Sequence, residues 1–155
     1  MEKSYYKSPI GILEIVCKNE ELISLKLVRE VGISSREVDT IKNVKCQLTE
    51  YFSGDRKIFN IKINPFGTDF QKAVWNELQK IPYGMAKSYS QIAEAIGNIN
   101  SQRAVGSACN KNPIMIIIPC HRVISQNGSI GGFAYGSSVK QKLLILENFS
   151  NRNVS

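Results

Sequence analysis

Five apolar residues in a row, Ile114-Met115-Ile116-Ile117-Ile118, run into Pro119 and then into Cys120-His121-Arg122. A run of this length and composition predicts a strand or extended segment buried on both faces. Proline has no N–H to give to a ladder, so regular pairing is expected to stop at Pro119. Cys120 then stands at the mouth of a rigid element, followed by the only histidine of the chain and an arginine. A fold needs such a strand, but it does not need that ending.

Two readings of Cys120 compete. A free cysteine is most often a buried, inert packing residue; here its neighbours favour a nucleophile. A thiol with a pKa of about 8.5 is only a few per cent ionised at neutral pH, and a neutral imidazole acting as base could supply the rest. Adjacent residues of an extended segment point to opposite faces, so Cys120 and His121 would need a turn or a bridging water to connect them. A third group should orient the imidazole. Glu147 is attractive because it lies toward the apolar side of the last helix, where an unpartnered carboxylate is costly. Periodicity alone favours the blander reading, a solvated glutamate at a helix end. The Gly-rich stretch SQNGSIGGFAYGSS, residues 125–138, lacks the GxxxxGK[ST] pattern of a phosphate cradle. A flexible loop beside a nucleophile suits closure over a substrate instead.

The chain around this segment has 155 residues, 43% apolar and 21% charged, the balance of a soluble globular protein with one ordinary domain or two small ones. No apolar stretch approaches the roughly 20 residues that cross a membrane. The N-terminus, MEKSYYKSPIG, lacks the apolar centre of a secretory signal. The expected location is therefore cytoplasmic, nucleoid-associated in a prokaryote, with Cys17, Cys46, Cys109 and Cys120 as free thiols. With no CxxC pair and one histidine, a zinc site is not expected, and no metal or cofactor is inferred. The net charge is +7, and the second half carries most of it: residues 1–65 hold eleven basic against nine acidic residues, the remainder nine against four. That asymmetry suits an anionic partner such as nucleic acid, and equally a generic solubility charge.

Residues 1–30 read as an antiparallel meander punctuated at Pro9–Gly11 and Asn19-Glu20. Ser34–Phe52 reads as a helix with Val38, Ile41, Val44, Leu48 and Phe52 inward, and Lys57–Ile63 as a further strand. Asn64-Pro65-Phe66-Gly67 is the best linker, so an N-terminal α/β domain is expected over 1–65, a second domain over 66–150, and a tail at 151–155. In the second domain a helix capped by Thr68 or Asp69 is expected to reach Lys80 with Phe70, Ala73, Val74 and Leu78 inward. Ser90–Ile96 and about Ser101–Cys109, separated by a turn at Gly97–Asn100, form a helix-turn-helix candidate. A last helix is expected over Ser138–Phe149, striped by Val139, Leu143, Leu146 and Phe149. The fold class is thus α/β (α+β): a small sheet-plus-helix domain, then a mainly helical one.

From PCHRV at 119–123 outward, the sequence resembles the O6-alkylguanine-DNA alkyltransferases. FQKAVWNELQKIPYG, SYSQIAEAIG, RAVGSACNKNP, IPCHRVI, the GGFAYG loop and LLILE occur in order across residues 68–148, and QLTEYFSGDRKIF resembles the family's N-terminal half. The resemblance implies direct-reversal DNA repair, with the alkyl group of O6-alkylguanine in double-stranded DNA passing irreversibly to Cys120 in a single turnover. It implies that His121 activates the thiol through a water, that Glu147 holds the histidine, and that Asn112 braces the site. Tyr89 would contact the base and the neighbouring phosphate and protonate or polarise the leaving guanine. Backbone groups of Cys120, Val123 and Ala134 would read the purine edge, with Cys109 and Tyr135 lining the pocket. A methyl on O6 lies inside the duplex, so the nucleotide must be flipped out. The resemblance gives Arg103 the gap-filling part, and places it with Ala104, Gly106 and Ser107 on a helix entering the minor groove.

The chain departs from the family pattern at two positions. Tyr135 stands where many members have glycine, and Ala134 where others have serine; a tyrosine there would narrow the pocket. The structural zinc of some members is not carried over, since the N-terminal half offers Cys17 and Cys46 but no histidine. Other readings are a damage sensor that binds alkylguanine without repairing it, a helix-turn-helix regulator, and a Cys-His hydrolase. The sensor relatives carry tryptophan at the acceptor position, which here is Cys120. No dimerisation element is legible, so a monomer is expected, with cooperative binding along DNA left open.

Overall fold

Asn19 and Glu20 both adopt positive φ, 52° and 65°, in the computed structural model, which describes residues 1–150. This is the conformation that a two-residue hairpin turn needs to match the twist of its strands. It joins β2 (Gly11–Lys18) to β3 (Glu21–Val28), while Pro9-Ile10 joins β1 (Glu2–Ser8) to β2, giving an antiparallel sheet in the order β1-β2-β3. The expected meander is present. Leu13, Ile15, Leu22 and Leu25 are fully buried, as are Ile41, Val44, Leu48 and Tyr51 of α1 (Asp39–Phe52), which packs on β1 and β2.

Two expectations for this half need correction. Helix α1 starts at Asp39, not Ser34, because Ser35 is tied to β1: its Oγ accepts from the Lys3 N–H at 2.7 Å and its N–H donates to the Lys3 carbonyl. Lys57–Ile63 is not a strand. The Gln47 side chain of α1 takes up the Asn60 backbone, accepting from its N–H at 2.9 Å and donating to its carbonyl at 3.0 Å. Only one bridge to the sheet remains, Leu22 to Ile63.

By contact the chain divides into two compact units, Met1–Phe66 with Pro113–Met115, and Gly67–Asn112 with the residues from Ile116 onward. Pro113–Met115 joins the first unit through a single bridge, Leu25 to Ile114. The expected strand over 114–118 is therefore absent. The run is buried as anticipated except at the half-buried Ile117, but Ile116 sits at φ 73° and the backbone turns there. A β-branched residue in the left-handed region is a genuine outlier, and this bend carries the chain toward Pro119. The expected tail, 151–155, lies outside the described residues.

The second unit is mainly helical. Thr68 and Gln71 form a capping box that starts α2 (Asp69–Leu78), the signature expected of Thr-x-x-Gln before an apolar run. Its inward residues are Val74, Trp75 and Leu78; Ala73 is exposed and Phe70 only half-buried, because the large indole of Trp75 defines the inward face. The Trp75 Nε1–H donates to the Ala108 carbonyl at 2.9 Å, pinning α4 (Gln102–Asn110) to α2. Helix α3 (Tyr89–Ala95) precedes α4 across a turn in which Gly97 takes φ 85°, and the pair forms the expected helix-turn-helix. The last helix, α5, spans Ser137–Leu146 and not Ser138–Phe149. Asn148 at φ 58° ends it, with the Asn148 N–H donating to Ile145 and the Phe149 N–H to Leu144. That pattern is the Schellman stop, and it leaves Glu147 at the helix cap. Among the described residues no helix is long and apolar enough to cross a membrane, and no three His, Cys, Asp or Glu side chains gather as a metal site.

Candidate active site

Pro119 has φ −82° and ψ 66°, the inverse γ-turn conformation that the pyrrolidine ring already half-imposes. Across it the Cys120 N–H donates to the Ile118 carbonyl at 2.8 Å. The Asn112 amide donates to the same carbonyl at 2.7 Å and hydrogen-bonds the Cys120 thiol. Cys120–Arg122 then form a single 3-10 turn, with the Arg122 N–H returning to the Pro119 carbonyl at 2.9 Å. The segment is not extended, so Cys120 and His121 are not held on opposite faces of a strand.

His121 and Glu147 are completely buried, and the imidazole Nε2 lies 2.8 Å from a Glu147 oxygen. Arg122 grips the same carboxylate with Nε at 2.8 Å and a terminal nitrogen at 3.1 Å, and spends its remaining nitrogen on the Ile81 carbonyl at 2.7 Å. Burial alone would raise the Glu147 carboxyl. The charge and hydrogen bond of His121, then those of Arg122, outweigh it and hold the group well below the usual carboxylate range. A carboxylate only accepts, so Nε2 carries the hydrogen and Nδ1 is left as the basic nitrogen. Nδ1 is buried and among the described residues has no hydrogen-bond partner. A buried polar atom of this kind demands one.

Burial pushes the Cys120 thiol up to about 11, against the lowering effect of Asn112 and of the Lys140 charge. At that value about one thiol in 10⁴ is ionised at neutral pH, so the resting residue is a protonated thiol that needs a base. Burial likewise pushes Cys109 of α4 up to about 12, with a further contribution from Cys120. The Tyr89 hydroxyl is also raised to about 12, by burial first and then by the two thiols. It remains a proton donor at neutral pH.

Tyr89 reaches this place through a two-residue parallel ladder. β4 (Lys87–Ser88) pairs with β5 (Val123–Ile124), Lys87 opposite Val123 and Ser88 opposite Ile124. Ser88 also caps α3: its hydroxyl accepts from the Gln91 N–H at 3.1 Å while Gln91 accepts from the Ser88 N–H at 2.8 Å. Ser88→Ala removes one half of this box and is expected to cost about 1 kcal/mol, read as a shift of the denaturant midpoint with an unchanged slope.

On α4 the expected residues divide by face. Val105, Ala108 and Cys109 point inward; Arg103, Ala104 and Ser107 are exposed and Gly106 is half-buried. An open cleft of about 310 Å³ is lined by Tyr89, Gln102, Gly106, Asn110 and Gly132. In the Gly-rich loop Gly131 takes φ 77° with the Ser125 hydroxyl 3.1 Å from where a Cβ would sit, so any side chain there would be strained and would have to displace that hydroxyl. Val123 is fully buried, Ala134 exposed and Tyr135 half-buried. Burial raises the Tyr135 hydroxyl to about 12, with a further contribution from Cys120.

Sequence reasoning missed two functional candidates. In the sequence Arg122 stands out only as a neighbour of Cys120, and nothing marks Lys140, which is buried on α5. The periodicity of α5 gave no sign of Lys140, whose partners are backbone carbonyls.

Fold and site together define a two-unit α/β protein in which a helix-turn-helix stands beside a cysteine backed by a buried Glu–His pair. Residues 69–149 match the family described as 6-O-methylguanine DNA methyltransferase, DNA binding domain, and residues 1–65 match its ribonuclease-like domain. The chain belongs to the 6-O-methylguanine DNA methyltransferase family. It is 41% identical over 153 residues to a methylated-DNA–protein-cysteine methyltransferase of Methanosarcina acetivorans, covering 95% of this chain and 98% of the relative. It superposes on the O6-methylguanine methyltransferase of Mycobacterium tuberculosis with a TM-score of 0.86 at 36% identity, over 94% of this chain and 92% of that one. A structure of the M. tuberculosis protein in complex with DNA gives a TM-score of 0.84 at 36% identity, with 96% of each chain covered.

Proposed function

We propose that this chain is a methylated-DNA–protein-cysteine methyltransferase that repairs O6-alkylguanine by moving the alkyl group to Cys120. The observation that carries the reading is the buried Glu147–His121 pair, which leaves Nδ1, without a partner among the described residues, as the nitrogen able to accept a proton, one residue along the chain from the protonated Cys120 thiol. A water bridging Nδ1 and the thiol takes the proton as Sγ attacks the alkyl carbon. The S–C bond forms, the C–O6 bond breaks, and guanine leaves with a proton supplied at Tyr89. The imidazolium formed is stabilised by Glu147, and solvent returns both proton positions to their resting state. The product thioether has no leaving group, so each molecule acts once.

Residues 66–150 serve as the DNA-binding and alkyl-acceptor domain, with 1–65 as a separate α/β domain. The exposed face of α4 meets the minor groove of double-stranded DNA. Arg103 fills the gap left by the flipped nucleotide, and Ala104, Gly106 and Ser107 allow the helix to come close. Backbone groups of Cys120, Val123 and Ala134 read the purine edge, and Asn112 fixes the turn that carries the thiol. The protein acts as a monomer in the cytoplasm.

Transfer from a duplex labelled in the O6-methyl group should plateau at one methyl per chain. Continued release of product would identify a hydrolase, and retention of the duplex without transfer a sensor. Tyr135 sets the alkyl size: transfer from O6-benzylguanine is expected to be slower than from O6-methylguanine, and Tyr135→Gly to narrow that difference. Equal rates on both substrates, unaltered by the substitution, contradict this role.

A further inference from the structure

Lys140 is a buried ionisable group that the reaction above leaves unused. It is fully inside the second unit, at 0% exposure. Its ammonium donates to the Val123 carbonyl at 2.6 Å and to the Gly132 carbonyl at 3.2 Å, and lies 5.9 Å from the centroid of the Tyr89 ring. Among the described residues no carboxylate pairs with it. Burial pulls its pKa down to about 8, while the Cys120 and Cys109 thiols act in the opposite direction. Burying an ammonium with only carbonyls and a ring for company is expensive, and a methionine would fill the same volume without that cost. The partners indicate why a charged donor stands there. Val123 opens the chain segment that runs into the Gly-rich loop, Gly132 lies in the middle of that loop, and Tyr89 faces both from α3. One three-donor group thus holds two stretches of backbone that otherwise share no regular ladder.

We propose that Lys140 is a positioning residue for alkyl transfer: its ammonium fixes the Val123 carbonyl and the loop at Gly132 relative to each other, so that the wall of the alkylguanine pocket is formed before the base arrives. A carbonyl oxygen has two acceptor sites, so Lys140 can hold Val123 through one and leave the other able to accept from a base. The inference rests on the alkyltransferase reading, because it assigns Lys140 to the wall of that pocket.

The test uses the full chain and Lys140→Met, with three readouts: amide hydrogen exchange of residues 125–136, the transfer rate at saturating O6-methylguanine duplex, and the dissociation constant for undamaged duplex. The expected result is faster exchange confined to residues 125–136 and a transfer rate lower by about 10–100-fold, the scale of a displacement near 1 Å, with binding of undamaged duplex within twofold. A purely structural lysine would instead lower the melting temperature and leave the saturated transfer rate of the folded protein unchanged, which overturns the proposal. If Lys140→Met does not fold, Lys140→Gln keeps an uncharged NH₂ donor group on a shorter side chain. It should then show the same local exchange with a smaller loss of rate, and wild-type exchange and rate in that variant overturn the proposal equally. Absence of transfer by the wild-type protein would sink the alkyltransferase reading itself. Hydrogen exchange would still decide whether Lys140 holds the loop.

Discussion

His121→Gln is expected to slow alkyl transfer by about 10²–10⁴-fold, the range over which a positioned general base acts. The upper end follows from the thiol. With burial holding Cys120 at about 11, the spontaneous thiolate fraction at pH 7 is about 10⁻⁴, and this is all that remains once the base is removed. The variant should also acquire a new pH dependence. Below the thiol pKa the thiolate fraction rises tenfold per pH unit, so its rate should climb with unit slope through pH 8–10 while the wild type rises less steeply. Single-turnover rates across that window check both statements. Glu147→Gln should give a similar loss, because an amide can present its N–H to Nε2 and stabilise the tautomer whose Nδ1 carries the proton. A His121→Gln variant that transfers at the wild-type rate would remove the relay from the mechanism.

Arg122→Ala is expected to be the most destabilising single change in the site, by about 3–5 kcal/mol, because it leaves a buried partner charge uncompensated. Arg122 supplies two of the hydrogen bonds on Glu147 and the one on the Ile81 carbonyl, and its guanidinium lies 5.9 Å from the Tyr83 ring centroid. Removing it strips two hydrogen bonds from the buried Glu147 carboxylate and one from the Ile81 carbonyl. Arg122→Lys should recover only part of the loss, since an ammonium cannot reproduce the planar fork. The same ion pair sets an acid limit. The Glu147 carboxyl is depressed in the folded protein below its ordinary value of 4.5. Its contribution to stability is therefore complete above that value and is lost as pH falls below it. Denaturant titrations at descending pH should show this loss, and Glu147→Gln should flatten it.

The helical half was readable where local chemistry decides structure. Thr68-x-x-Gln71 and Ser88-x-x-Gln91 both have the spacing of capping boxes; the first starts α2 where Thr68 or Asp69 is expected to cap it, and the second starts α3 at Tyr89, one residue before the expected Ser90. The apolar run 114–118 shows the limit of such reading. Burial was correctly expected, but an apolar run cannot distinguish a strand from a buried turn, and the positive φ of Ile116 depends on tertiary surroundings. Lys57–Ile63 failed for a related reason: alternation was present, yet the Gln47 side chain claimed the backbone. In the site, Cys120, His121 and Asn112 were legible because they are neighbours in sequence or in motif. Glu147 was ambiguous, since its local periodicity allows a solvated helix end, whereas its Schellman stop and its partners His121 and Arg122 bury it. Arg122 and Lys140 were hidden because their partners lie at Glu147 and Ile81, and at Val123 and Gly132, separations that no periodic pattern reports.

The central claim is that the alkyl carbon ends on one named sulfur. Incubation with a duplex carrying a single O6-methylguanine, followed by intact mass and peptide mapping, tests it most directly. The expected result is one added methyl per molecule, located on Cys120, with guanine restored in the duplex and neither change in Cys120→Ala. Methyl found on another residue, or an unmodified protein beside repaired DNA, would contradict the account.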